Sequence, residues 1–205
     1  HLHEFAYGPT NLNPHYGPSR NPWDPDRMTG GSSGGSGGAV ATGCSYASIG
    51  TDSGGSLRIP AAFCGVVGLK PTYGRISRAG IFPLSWSQDH AGPLTRTVAD
   101  AAITLQALAG FDPADPGSSR QPVPNFSRGL TAGVKGLRLG VPKEFFWDEV
   151  DPEVAGAVKK AIAVLAGLGG SVREVHWPMA AEARALSFLI MGAEAFSVHE
   201  RWLKE

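Results

Sequence analysis

Apolar positions recur every three or four residues in three stretches of the chain, and each stretch reads as a helix. Between 97 and 109, Val98, Ala101, Ala102, Leu105 and Leu108 share one face. Thr97 and Asp100 resemble a capping box at its start, and Gly110 stops it. Between 151 and 168, Asp151 can cap a helix with Pro152 in its first position. Val154, Ala157, Val158, Ala161, Ile162, Leu165 and Leu168 form its expected buried stripe, and Gly169-Gly170 end it. Between 180 and 203, Leu186, Leu189, Ile190 and Ala193 are expected to face inward. Shorter apolar runs predict strands at "YASIGTD" (46–52, a buried strand), "VVGLKPT" (66–72), "LRLGV" (137–141) and "SVREVHW" (171–177). The last two flank the second helix, an order that implies parallel strands and a right-handed crossover. "GGSGGAVATG" (34–43) predicts a short helix that starts in glycines, and "AAFCG" (61–65) a helical turn. Residues 1–29, with Asn13-Pro14, Asn21-Pro22 and Asp24-Pro25, read mostly as loop, and 111–133 as a Pro/Ser/Gly-rich surface loop. The expected fold is α/β: a single domain over 1–205, with a mixed sheet surrounded by helices.

Composition narrows the function classes. The 205 residues are 42% hydrophobic and carry 18 basic and 18 acidic side chains, which suits a globular chain with a core. Balanced charge gives no reason to expect nucleic acid or an anionic membrane as partner. No apolar run is long enough to span a bilayer. No signal peptide is visible, and the first residues read like the middle of a domain. Cys44 and Cys64 lie among small or apolar residues without a CxxC partner. Both are expected to be buried free thiols in a reduced, cytoplasmic setting.

Glycine changes the picture. There are 28, and Gly30, Gly31, Gly34, Gly35, Gly37 and Gly38 fall together. A flexible linker would lack the interleaved Ala39, Val40, Ile49, Ile59, Phe63, Val66 and Val67. A phosphate loop needs a Gly-Lys pair, which the chain lacks, and no GxGxxG occurs. GxSxG does occur, at 31–35 and 34–38, but the elbow needs a strand before it, and "NPWDPDRMTG" reads as a poor one. A serine nucleophile remains. Such a group needs an exposed hydroxyl, a base within reach and main-chain N–H groups aimed at the developing oxyanion. Gly54-Gly55 before Ser56 would let consecutive N–H groups turn inward. Ser32 or Ser33, brought alongside, could relay a proton.

"GGSSGGSGGAVATG" (30–43) and "GTDSGGSLRIPAAFCGVVGLKPTYGRIS" (50–77) closely resemble the amidase signature family. The 24-residue separation of Ser32 and Ser56 and the flanks "NPWDPDRMTGG" and "DHAGPLTRTVADAA" are similar to it as well. The resemblance implies roles. Ser56 would be the nucleophile, and Ser32 the bridging serine on a cis peptide. The N–H groups of Ser53, Gly54, Gly55 and Ser56 would form the oxyanion hole. Ser33, Asp52 and Arg58 would support the loop, and the backbone at Phe5, Ala6 and Tyr7 would line the acyl pocket. No cofactor or metal is implied. The family's third catalytic group is a lysine acting as a neutral base, well upstream of Gly-Gly-Ser-Ser. Burial must lower its pKa from ~10.4 for that role. The first lysine here is Lys70, in "GLKPT", where a packed stem and a surface pairing are expected.

The chain therefore reads as part of a family member, truncated at both ends and inactive alone. The implied activity of the whole is hydrolysis of a carboxylic amide, a small molecule, through an acyl-enzyme. Two alternatives stand beside it. One is the A subunit of the tRNA-dependent amidotransferase, with partner subunits, although Ile59 stands where that protein commonly has glutamine. The other is a scaffold that has lost its base. A homodimer is left open. The histidines are expected in solvent or hydrogen-bonding roles, Asp89 in a turn, and Trp177 and Trp202 in packing.

Overall fold

The computed structural model describes residues 1–204. It is a mixed α/β structure that divides into two compact units. One is residues 1–127 with the segment from Leu189 onward; the other is Arg128–Phe188.

The first unit opens with a short 3-10 turn at Glu4–Ala6. Four short strands follow, β1 (Leu12–Asn13), β2 (Gly17–Pro18), β3 (Arg20–Asn21) and β4 (Asp24–Met28), paired as two antiparallel hairpins. The loop expected over 1–29 is therefore partly wrong. Asp24–Met28 is a strand despite Pro25, because an edge position needs no N–H from proline. Helix α1 (Gly34–Ala41) begins in glycines as expected. Strand β5 (Ala47–Asp52) leads to helix α2 (Arg58–Cys64), which ends on Gly65 in the left-handed region. β5 is half-buried rather than buried, with Ile49 exposed. Strand β6 is only Val67–Gly68, much shorter than the expected 66–72.

Strand β7 (His90–Thr95) lies between β5 and β6 and pairs antiparallel with both. Five of its six residues are buried. Helix α3 (Val98–Leu108) packs Leu105 against Ala91 of β7 in a core with Ile76. Val98 and Leu108, expected inward, are exposed because the packed face is narrower, centred on Ala101, Ala102 and Leu105. A second core joins Val40 of α1, Leu57 and Ala61 at α2, and Leu94 of β7. β5 pairs with β7 along its whole length and ends at Asp52, where the Ser56 loop begins; the Ser32 loop leads into α1.

The second unit holds β8 (Arg138–Pro142), α4 (Pro152–Gly167) and β9 (Ser171–Val175). β8 and β9 are parallel neighbours, as a strand–helix–strand unit requires. Asp151 caps α4 by accepting from the Glu153 N–H at 2.8 Å. The stripe expected to be buried is not: α4 buries no residue, and Val154, Val158 and Leu168 are exposed. Two strands cover too little of the helix. Its apolar face instead lines an open groove of about 520 Å³ with Val141, Phe146 and Trp147. Trp177 stacks on Phe146 at 5.6 Å. Helix α5 (Ala180–Lys204) buries Ala180, Met191 and Ala195, whereas the expected Leu186, Leu189, Ile190 and Ala193 are exposed. The pattern had the helix right and its rotation wrong.

Candidate active site

β5 ends at Asp52, whose side chain is fully buried. Its Oδ1 accepts from the Gly55 N–H at 2.8 Å and from Arg58 Nη2 at 2.9 Å. Its Oδ2 accepts from the Leu57 N–H at 3.1 Å and from Arg58 Nε at 3.0 Å. Burial alone would raise this carboxyl's pKa. The Arg58 hydrogen bond and charge, with the two amides, outweigh burial and hold it below the ordinary aspartate value. An anion at the centre of 52–58 thus folds the segment around itself. The turn needs glycine at 55, where φ is +136° and a Cβ would meet Ile59 Cδ1 at 2.8 Å. Ser56 sits half-buried on this turn, just before α2.

The second serine loop is tied to the first at two points. Ser33 Oγ accepts from the Thr51 N–H at 3.1 Å and donates to the Thr51 carbonyl at 3.3 Å. The Ser33 N–H donates to the Ser56 carbonyl at 3.2 Å. Gly50 makes this approach feasible, since a Cβ there would lie 2.5 Å from Ser33 Oγ. The Gly31–Ser32 peptide is cis. Ser32, 1% exposed, is buried beside these contacts, and its Oγ has no hydrogen-bond partner among the described residues. Ser32 and Ser56 are therefore brought into neighbouring loops but are not hydrogen-bonded to each other.

Asp52, Arg58 and Ser33 thus tie the two serine loops together through hydrogen bonds. The oxyanion-hole expectation needs one correction. The Gly55 N–H is directed to Asp52, because the buried carboxylate is the stronger acceptor within reach. The N–H groups of Gly54 and Ser56 meet no acceptor among the described residues. Phe5 and Ala6 adopt left-handed backbone, with φ of 51° and 58°. They line a cavity of about 370 Å³ that also reaches Ser32, Ser33, Gly50 and Thr51. Tyr7 closes the 3-10 turn through its N–H and leaves its ring exposed. Phe5 also belongs to an aromatic cluster with Phe82, His199 and Trp202, ring centroids 4.6 to 6.1 Å away.

Other candidates fall elsewhere. The Lys70 ammonium donates to the Pro71 carbonyl at 3.3 Å. His90 Nδ1 lies 2.5 Å from the Gln88 carbonyl and 3.2 Å from that of Asp52. Burial, with the nearby Lys70 charge, keeps its pKa below the usual histidine value. Among the described residues no three His, Cys, Asp or Glu side chains converge on a metal site. Cys64 is buried as expected and burial pushes its thiol pKa up; Cys44 is exposed, which corrects the paired expectation. It follows Gly43, whose φ of +77° lies in the left-handed region just past the end of α1. No helix of the described residues is long and apolar enough to cross a membrane.

Sequence reasoning missed a second carboxylate at the loop. Asp89 accepts from Ser53 Oγ at 2.5 Å and from the Leu84 and Ser85 N–H groups at 2.8 and 3.0 Å. Ser85 Oγ in turn donates to Glu194 of α5 at 2.5 Å. The sequence shows only an aspartate in a Ser-rich stretch, which local pattern cannot distinguish from an ordinary turn residue.

Comparison with known proteins gives consistent matches along the chain. The Amidase family model matches residues 1–205. An amidase of Pseudomonas putida is 55% identical over 206 residues, 100% of this chain and 43% of that protein. The A subunit of glutamyl-tRNA(Gln) amidotransferase from Geobacter sp. (strain M21) is 50% identical over 192 residues, 94% of this chain and 40% of that protein. The crystal structure of its Thermotoga maritima counterpart superposes with a TM-score of 0.92 at 41% identity, covering 96% of this chain and 43% of that one. The chain thus spans well under half the length of these relatives. With a family model matched from end to end and a fold shared with solved members, the chain belongs to the amidase signature family.

Proposed function

We propose that the protein to which this chain belongs hydrolyses a carboxylic amide through Ser56. The observation that carries the reading is Ser32: a hydroxyl 1% exposed, with no hydrogen-bond partner among the described residues, beside the Ser56 loop. An unsatisfied buried hydroxyl costs about 1–3 kcal/mol, and a proton relay is a reason to keep one. Ser56 Oγ attacks the amide carbonyl and its proton passes to Ser32, whose own proton passes to a base. The family resemblance implies that this base is a neutral lysine, which in the family lies well upstream of the Gly-Gly-Ser-Ser segment. The tetrahedral oxyanion is held by the N–H groups of Ser53, Gly54 and Ser56. Collapse expels ammonia or an amine, which takes the proton back along the relay. Water then attacks the Ser56 ester, releasing the acid and restoring the serine. The 205 residues alone, whose first lysine is Lys70, are expected to turn over no amide.

The 50% identity to the A chain of an amidotransferase favours a second reading, in which ammonia released by the same serine chemistry goes to a partner protein. Copurification of such a partner with the full-length protein, and ammonia transfer that depends on it, would select that reading. A scaffold without activity is the third.

The test uses the full-length protein. Treatment with phenylmethylsulfonyl fluoride should add one sulfonyl group on Ser56, read by peptide mass spectrometry. Ser56→Ala should abolish labelling and lower amide turnover about 10³-fold or more with the fold intact by circular dichroism. Turnover unchanged by Ser56→Ala on an amide that the protein hydrolyses would sink the assignment.

A further inference from the structure

The loop that presents Ser56 is gripped at both ends by buried carboxylates. Asp52 takes the far end, through Gly55, Leu57 and Arg58. The near end is Ser53, whose Oγ donates to Asp89 Oδ1 at 2.5 Å. Asp89, 7% exposed, has its other oxygen filled by the Leu84 and Ser85 N–H groups. Glu194 then fixes that turn by accepting from Ser85 Oγ at 2.5 Å and the Ser87 N–H at 3.1 Å. One turn of α5 earlier, the Met191 methyl lies against Gly54, 3.1 Å from where a Cβ would be. Met191 is itself buried with Leu84 and Ala195.

We propose that Asp89 is a positioning residue for the amide hydrolysis, acting through the Ser53 hydroxyl to aim the main-chain N–H groups of Ser53 and Gly54, with Glu194 bracing it. The proposal rests on the reading of Ser56 as nucleophile. An oxyanion hole works only when its donors are fixed before charge develops. A loop rich in glycine cannot fix its own dihedrals. Asp52 constrains residues 55 to 58; without Asp89, Ser53 and Gly54 keep rotational freedom that turnover must remove each time. A hydroxyl at 53 is therefore a catalytic asset though it touches no substrate.

The experiment compares Ser53→Ala and Ser53→Thr in the full-length protein. Ser53→Ala removes the link to Asp89 and leaves the Leu84 and Ser85 bonds in place. It should lower kcat about tenfold, with KM changed less than about twofold. Sulfonylation of Ser56 should slow in proportion. Ser53→Thr keeps the hydroxyl and should recover most of the loss. Amide hydrogen exchange in a peptide spanning 52–57 should be about tenfold faster in Ser53→Ala than in the wild type. Wild-type kcat in Ser53→Ala, a threonine variant no better than alanine, or unchanged exchange would each overturn the proposal. Failure of the amidase reading looks different: Ser56 goes unlabelled and no amide is cleaved, yet the exchange comparison still decides whether Asp89 holds the loop.

Discussion

Asp52 and Arg58 show how unequal the two halves of one ion pair can be. The carboxylate has 0% side-chain exposure and accepts four hydrogen bonds; the guanidinium is 54% exposed. Removing charge from the buried partner leaves main-chain donors unsatisfied, whereas the exposed partner can turn to water. Asp52→Asn keeps one acceptor oxygen and turns an amide toward the Leu57 N–H or Arg58. It should cost about 3 kcal/mol. Arg58→Ala should cost less, about 2 kcal/mol, because water can enter where the half-exposed guanidinium stood and the Gly55 and Leu57 N–H bonds to Asp52 remain. Urea titrations of both variants check the order; an Arg58→Ala loss exceeding that of Asp52→Asn would show that the carboxylate is not the anchor. Both residues were pointed to by the family resemblance, because they lie inside the 50–77 motif that carries it. Asp89 and Glu194 were not. They meet Ser53 and Ser85 across 36 and 109 residues of chain, and no local pattern records such a meeting.

Helix ends were readable where a single side chain makes the cap. Thr97 Oγ1 accepts from the Asp100 N–H at 3.1 Å and donates to Asp100 Oδ2 at 2.7 Å. The reciprocal bond thus runs from the hydroxyl rather than from the Thr97 N–H of a full capping box. α3 lies on β7, and β7 pairs with the strand that ends at Asp52, so this cap supports the site at two removes. Thr97→Ala should destabilise the protein by about 1 kcal/mol and Thr97→Ser by only a few tenths. Thermal melts of the two variants test this, and equal losses would refute the cap. Which helix faces are covered was far less legible. Periodicity marks an apolar stripe, but what lies against it is a tertiary fact. α4 shows the gap, with a well-marked stripe and no buried residue. Asp24–Met28 shows the converse, a strand pairing hidden by proline-rich composition.

On the scale of the whole chain, 18 basic side chains balance 18 acidic ones, so near neutrality no net repulsion opposes folding. Acid removes that balance in a definable window. Asp52, Asp112, Asp115, Glu144 and Glu194 all have pKa values below their ordinary ones. For Asp115 the Arg78 hydrogen bond is the main cause and lowers it to about 2. A carboxyl lowered on folding stabilises fully above its unfolded pKa, and that contribution disappears as pH falls through the folded value. Between about pH 4 and pH 2 the unfolded chain binds more protons than the folded one, so stability must drop. His90 adds an earlier step of the same sign. Burial lowers its pKa, so the unfolded chain takes up its proton first as pH falls below about 6.5. Unfolding midpoints in urea should therefore decline gently from pH 7 to 5 and steeply below pH 4. Asp115→Asn should be less stable at neutral pH by about 2 kcal/mol and should lose less on going to pH 3 than the wild type, because its Arg78 contact no longer titrates. A variant whose pH profile runs parallel to the wild type throughout would show that this ion pair does not carry the acid response.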